Sequence, residues 1–192
     1  MKKIALFMVG LLLMGGVAAN AQHLIVKAGF NYANATVEGI KSGKSGWQAG
    51  LGLQTETASG FSFQPELVYQ VMDVKFDDAR NLNLGYVQVP LNVQWGPDLL
   101  VARPYIVAGP YFGVKVRNQF KGSSWTDTDM KTIGNGLKKT EWGLGVGLGV
   151  DIFKFQISGK YNWNFGAIAD TKELPSLEGS PRTFEISVAL KF

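Results

Sequence analysis

The chain has 192 residues, 46% of them hydrophobic, with 24 glycines, 19 basic and 15 acidic residues and no cysteine. That length fits one domain, and without cysteine there can be no disulfide, thiolate metal site or thiol nucleophile. The net charge of +4 is spread along the chain with no Lys/Arg run, which argues against a nucleic-acid partner.

Residues 1–21 read as a secretory signal peptide to be cleaved. Lys2 and Lys3 give a basic start, Ile4 to Met14 an apolar run, and Ala19-Asn20-Ala21 a small-residue cleavage site before Gln22. The apolar run of 11 residues is too short for a spanning helix, which needs about 17 or more. Cleavage removes two lysines and no acid, so the basic excess of the whole chain overstates that of residues 22–192. No stretch in 22–192 approaches the length of an apolar helix that would span a bilayer. A chain of this kind crosses a membrane only as a closed barrel, where every backbone group finds a partner.

The remaining sequence alternates with a period of two, the signature of strands with two unlike faces. The first predicted strand covers about 24–33, with Val26, Ala28, Phe30 and Tyr32 on one face. A polar stretch, 34–45, leads to 46–55, where Trp47, Ala49, Leu51 and Leu53 alternate with Gln48, Gly50, Gly52 and Gln54. A short turn at 57–60 leads to 61–75, with Phe61, Phe63, Pro65, Leu67, Tyr69 and Val71 predicted to face outward. After a polar loop at 76–82, the strand 84–95 sets Val87, Val89, Leu91, Val93 and Trp95 against Gln88, Pro90, Asn92 and Gln94. The turn Gly96-Pro97-Asp98 leads to a fifth strand, 103–117, and then to the longest polar stretch, 118–139. In 140–151 every second residue from Gly143 to Gly149 is glycine, a period that leaves bare backbone on the inner face, beside bulky neighbours such as Tyr105 or Tyr111. A tight turn near Phe153-Lys154 precedes 155–165, and a last loop, 166–182, precedes the final strand, 183–192. In that strand Phe184, Ile186, Val188, Leu190 and Phe192 oppose Thr183, Glu185, Ser187, Ala189 and Lys191.

Eight strands joined by alternately long and short connections predict an all-β fold, an eight-stranded antiparallel up-and-down transmembrane β-barrel over residues 22–192. The even count brings both ends of the barrel to the periplasmic side. A soluble lipocalin-like barrel shares this alternation but turns its polar face to water. Here the polar positions are mainly Gly, Gln, Asn and Ser, which suit the narrow interior of eight strands better than a wet surface. Aromatics near strand ends, such as Trp47, Phe61, Trp95, Phe112, Trp142 and Trp163, suit interfacial girdles.

The segments Gln64-Pro65-Glu66-Leu67-Val68-Tyr69, Tyr86-Val87-Gln88-Val89-Pro90-Leu91 and Arg103-Pro104-Tyr105-Ile106-Val107-Ala108-Gly109-Pro110-Tyr111 carry proline inside strands, which is unusual. With them the chain resembles the outer-membrane β-barrel family common in Bacteroidota, porin-like and related to the small OmpA- and OmpX-type barrels. The resemblance implies residence in the bacterial outer membrane and leaves activity open. A terminal strand closing on Phe192 resembles the signal by which such barrels are presented to the assembly machinery.

Glu66, Lys115, Asp151, Lys160 and Glu185 fall at or near inward positions, and a buried charge needs a partner, so an interior ion-pair network that plugs the lumen is expected. The alternative is a selectivity constriction in a small diffusion pore. Neither the Gly43-Lys44-Ser45 tripeptide nor the Gly143 to Gly149 run has the glycine spacing of a phosphate or dinucleotide loop. The single histidine, His23, lies next to the cleavage point. Asp77, Asp78, Asp127 and Asp129 read as solvated loop charge, without EF-hand spacing. No catalytic, cofactor or metal site is expected. The expected partners are outer-membrane lipid, the assembly machinery, and an extracellular ligand held by loops 34–45, 76–82, 118–139 and 166–182 of a monomer. Trp125, in the third loop, is a candidate anchor. The expected role is structural or loop-mediated: adhesion, envelope integrity or accessory to secretion.

Overall fold

The computed structural model describes residues 22–34, 44–56, 59–77, 80–121, 139–165 and 182–192. They form β1 (Gln22–Asn34), β2 (Lys44–Glu56), β3 (Phe61–Asp77), β4 (Arg80–Trp95), β5 (Ala102–Lys121), β6 (Thr140–Ile152), β7 (Phe155–Asn164) and β8 (Arg182–Lys191). Each strand pairs antiparallel with its sequence neighbour and β8 returns to β1, giving a closed barrel without a free edge. Phe192 and Leu24 exchange backbone hydrogen bonds at 3.1 and 2.9 Å and seal the seam at the end where the short turns lie.

Alternation decides which face each side chain takes. Leu51, Ile106, Leu148 and Ile186 are between 53 and 67% exposed on the outer wall, where lipid replaces water. Gln48, Gln64, Gln94, Asn92 and Ser187 are at most 2% exposed on the inner wall. Aromatic pairs mark both rims: Phe61 against Trp95 at 6.3 Å near the turns, and Trp142 against Phe165 at 5.3 Å near the loops. These are the girdles of a membrane barrel.

The strands exceed the predicted lengths at the loop end. The expected loop 76–82 is mostly strand, since β3 runs to Asp77 and β4 starts at Arg80, opposite it. The expected loop 118–139 loses its first residues to β5, which pairs Asn118 with Leu84 and Gln119 with Asn83. Lys44 and Arg182 likewise belong to β2 and β8. A strand that has left the lipid no longer needs an apolar outer face, so its sequence resembles a loop. Two expected outward residues are covered: Pro65 is buried, and Val71, opposite Trp47, is only 3% exposed. β5 also carries an irregularity, with Tyr86 opposite Lys115 and Gly85 opposite Arg117.

Candidate functional site

The inner wall gathers its charges in clusters. At mid-barrel, Lys27 Nζ on β1 lies 2.5 Å from Glu66 Oε2 on β3. Lys160 Nζ on β7 lies 3.4 Å from Glu185 Oε1 on β8, its opposite number in the ladder. Asn92 on β4 ties the two pairs together: its Nδ2 donates to Glu66 Oε1 at 2.8 Å and its Oδ1 accepts from Lys160 Nζ at 3.0 Å. Gln64 Nε2 donates to the same Glu66 oxygen at 2.8 Å. Each cation here faces a carboxylate at short range, the condition under which buried charge is tolerated.

A second cluster closes the turn end. Asp151 Oδ2 is shared by Arg103 Nη1 at 3.2 Å and Lys191 Nζ at 3.1 Å, and Lys191 also reaches Glu56 Oε1 at 2.8 Å. Arg103 donates further to Ser62 Oγ at 3.0 Å and the Gly60 carbonyl at 3.1 Å, which fixes the β2–β3 turn. Gln64, Gln94 and Gln156 link the clusters: Gln94 Nε2 donates to Gln64 Oε1 at 2.8 Å, and Gln156 Nε2 donates to Asp151 Oδ1 at 3.0 Å. Near the loop end, Glu141 accepts from Gln88 Nε2 at 2.5 Å and Asn164 Nδ2 at 3.1 Å.

The glycine ladder of β6 makes room for this cross-section. Tyr111 stands opposite Gly143 and Tyr105 opposite Gly149. A Cβ on Gly143 would meet Tyr111 Cε1 at 2.7 Å, and one on Gly147 would meet Lys160 Cγ at 2.7 Å. Bare backbone therefore lets two tyrosine rings and a lysine stem lie flat against the inner wall of β6.

Four of the five expected interior charges, Glu66, Asp151, Lys160 and Glu185, are buried and ion-paired in these clusters. Lys115 is placed elsewhere: it is half-buried beside the β5 irregularity, with its backbone N–H donating to the Lys139 carbonyl at 2.8 Å. Lys27, Glu56, Arg103, Glu141 and Lys191 join these clusters beyond the five expected charges. All five share the inward parity of their strands, so strict alternation is the signal that picks them out. Among the described residues no group of His, Asp and Glu could hold a metal. His23 lies on β1 opposite Gln54, at the turn end. Trp125, Asp78, Asp127 and Asp129 lie outside the described residues, as do residues 1–21.

A closed barrel with an apolar, girdled exterior and a polar, ion-paired interior defines a small outer-membrane β-barrel protein. Residues 19–170 match the model of the outer membrane protein beta-barrel domain, and the chain belongs to that family. The matched range stops short of β8, which completes the barrel. Among solved structures, Neisserial surface protein A is similar at 14% identity and a TM-score of 0.54, with 90% of this chain and 98% of that one covered. Ail, the attachment invasion locus protein of Yersinia pestis, is similar at 12% identity and a TM-score of 0.51, with 90% and 100% covered. No curated protein matches the chain. The family and the fold place the protein in the outer membrane.

Proposed function

We propose that this protein is a non-conducting outer-membrane barrel that acts through its extracellular loops, with adhesion first among the loop-mediated roles and envelope integrity or support of secretion next. The observation that carries this reading is the bonded network running from Lys27 and Glu66 through Asn92, Gln64 and Gln156 to Asp151 and Lys191. In this reading the bonded side chains block the water path through the lumen, and the chemistry left to the molecule lies at its long loops. Ail, a barrel of the same fold, is an attachment protein by its name. The proline-bearing strands favour a member of the Bacteroidota branch, matured by loss of residues 1–21 and assembled through the strand ending at Phe192. Neither an enzymatic role nor a cofactor is part of this reading.

The test is leakage of a small dye and of small sugars from vesicles carrying the refolded chain, with flotation of the vesicles as the control for insertion. Flotation without leakage supports the plugged barrel. Leakage limited by solute size would replace it with a small diffusion pore in which Glu66, Lys160 and Glu185 line the constriction. Deletions within 122–138 that abolish surface binding while the barrel still assembles would then locate the contact.

A further inference from the structure

Near the loop end, β6 turns one carboxylate inward without giving it a cation. Glu141 is only 9% exposed, yet among the described residues no lysine or arginine pairs with it, whereas Glu66, Asp151 and Glu185 each meet a cation. Its two oxygens are held by amides alone, Oε1 by Gln88 Nε2 on β4 and Oε2 by Asn164 Nδ2 on β7. A buried anion without a counter-charge is costly to the fold.

The wall around Glu141 is shaped to present it. The ladder from β4 through β5 to β6 sets Gln88, Gly113 and Glu141 in one row. A Cβ on Gly113 would meet Glu141 Oε1 at 2.6 Å and Gln88 Cγ at 3.0 Å, so the missing side chain lets the carboxylate lie over β5 and reach β4. Tyr86 and Tyr111, both buried, are the neighbouring inward residues of β4 and β5, one on either side of that row. The Tyr111 ring lies over Gly143, the next inward position of β6. Each carboxylate oxygen has two lone pairs and uses one on an amide, which leaves one on each for a further N–H. Another group in the loop half is also unsatisfied: Asn31 on β1 is 3% exposed, and neither its amide nitrogen nor its oxygen has a hydrogen-bond partner.

We propose that Glu141, Tyr86 and Tyr111 form a binding site for a small organic cation, an alkylammonium, in the loop half of the lumen. Two N–H groups of an ammonium would complete the carboxylate, and the tyrosine rings would receive its charge and its alkyl part. A bare metal ion is a poorer occupant, because Gln88 and Asn164 turn N–H donors rather than oxygens toward the carboxylate. This site rests on the barrel wall alone and is independent of what the loops bind.

The test uses the full refolded chain, labelled with nitrogen-15, in zwitterionic detergent micelles. The backbone amide signals of Gly113 and Gly143 are followed while n-butylammonium chloride is added, and again with 1-butanol, its uncharged counterpart of equal size. Both signals are expected to shift saturably with the ammonium and to stay in place with the alcohol. Absence of a saturable shift, or the same shift with both, would overturn the site. That comparison needs no variant and decides the matter even where a variant fails to fold. Glu141→Gln keeps the shape of the side chain and removes its charge, and it is expected to weaken the ammonium by about tenfold or more. Equal affinity in that variant would also overturn the proposal.

Discussion

Asn92 is the residue on which the interior turns. Its amide donates to Glu66 and accepts from Lys160, so each ion pair is oriented by the other. Removing one member leaves the rest buried without a partner, which costs far more than the pair itself contributes. Glu66→Ala takes from Lys27 its ion-pair partner and from the Gln64 and Asn92 amides an acceptor, and a loss of about 3–5 kcal/mol is expected in denaturant unfolding from vesicles. The double variant Lys27→Met with Glu66→Leu removes the charges together and is expected to lose much less; an equal loss would mean that the pair is not the unit. Gly149 offers a steric counterpart. A Cβ there would run into the Tyr105 ring, with Cε2 at 2.7 Å. Gly149→Val is expected to cost about 1–3 kcal/mol by overpacking, and Tyr105→Ala in the same chain to recover part of it.

Among the strands, β8 shows best how much could be read beforehand. Its large apolar residues fall on every second position, so its faces and its place as the closing strand were legible from residues 183–192, with the bounds shifted by one: Arg182 lies inside the strand and Phe192 just beyond it. β3, β4 and β5 were legible only within the lipid, because alternation records the solvent on each side and fades where both faces meet water. The expected loop 76–82 was such a stretch: Asp77 and Arg80 are ladder partners whose polarity looks like a turn. The interior charges show the same limit. Parity told which residues point inward, but pairing Lys27 with Glu66 joins β1 to β3 across β2, and no local pattern encodes that contact. Lys115 has the parity of its strand, yet a register irregularity places it apart from the clusters. Phe192 makes its own prediction at this scale. It is 64% exposed and makes the last backbone bonds of the seam. Deleting it is expected to lower the folded, heat-modifiable fraction in the outer membrane of cells severalfold, while refolding into vesicles from urea changes little. Equal losses in both would mean that the residue serves stability rather than assembly.

For the whole molecule, the mid-barrel cluster balances two cations, Lys27 and Lys160, with two carboxylates, Glu66 and Glu185. A barrel balanced in this way, with Tyr105 and Tyr111 laid against the β6 glycines, is expected to leave vesicles as tight to small sugars as empty ones. Leakage is expected only after interior side chains are cut back together, as in Tyr105→Ala with Lys160→Ala and Glu185→Ala. A triple variant that floats with vesicles and stays tight would mean that these residues do not block the lumen. The unequal strands have a further consequence. β5 has 20 residues and β8 has 10, or roughly 65 Å against 33 Å of extended chain. A lipid band of about 25 Å, crossed at a tilt near 40°, uses roughly 33 Å of strand. β8 is consumed by the crossing, whereas about half of β5 stands clear of it. Among the described residues the strands are therefore unequal at the loop end, short along β8 and raised like a parapet along β3 to β5. An approaching surface would meet the parapet first, and Lys121, the last residue of β5, stands well above the surrounding headgroups.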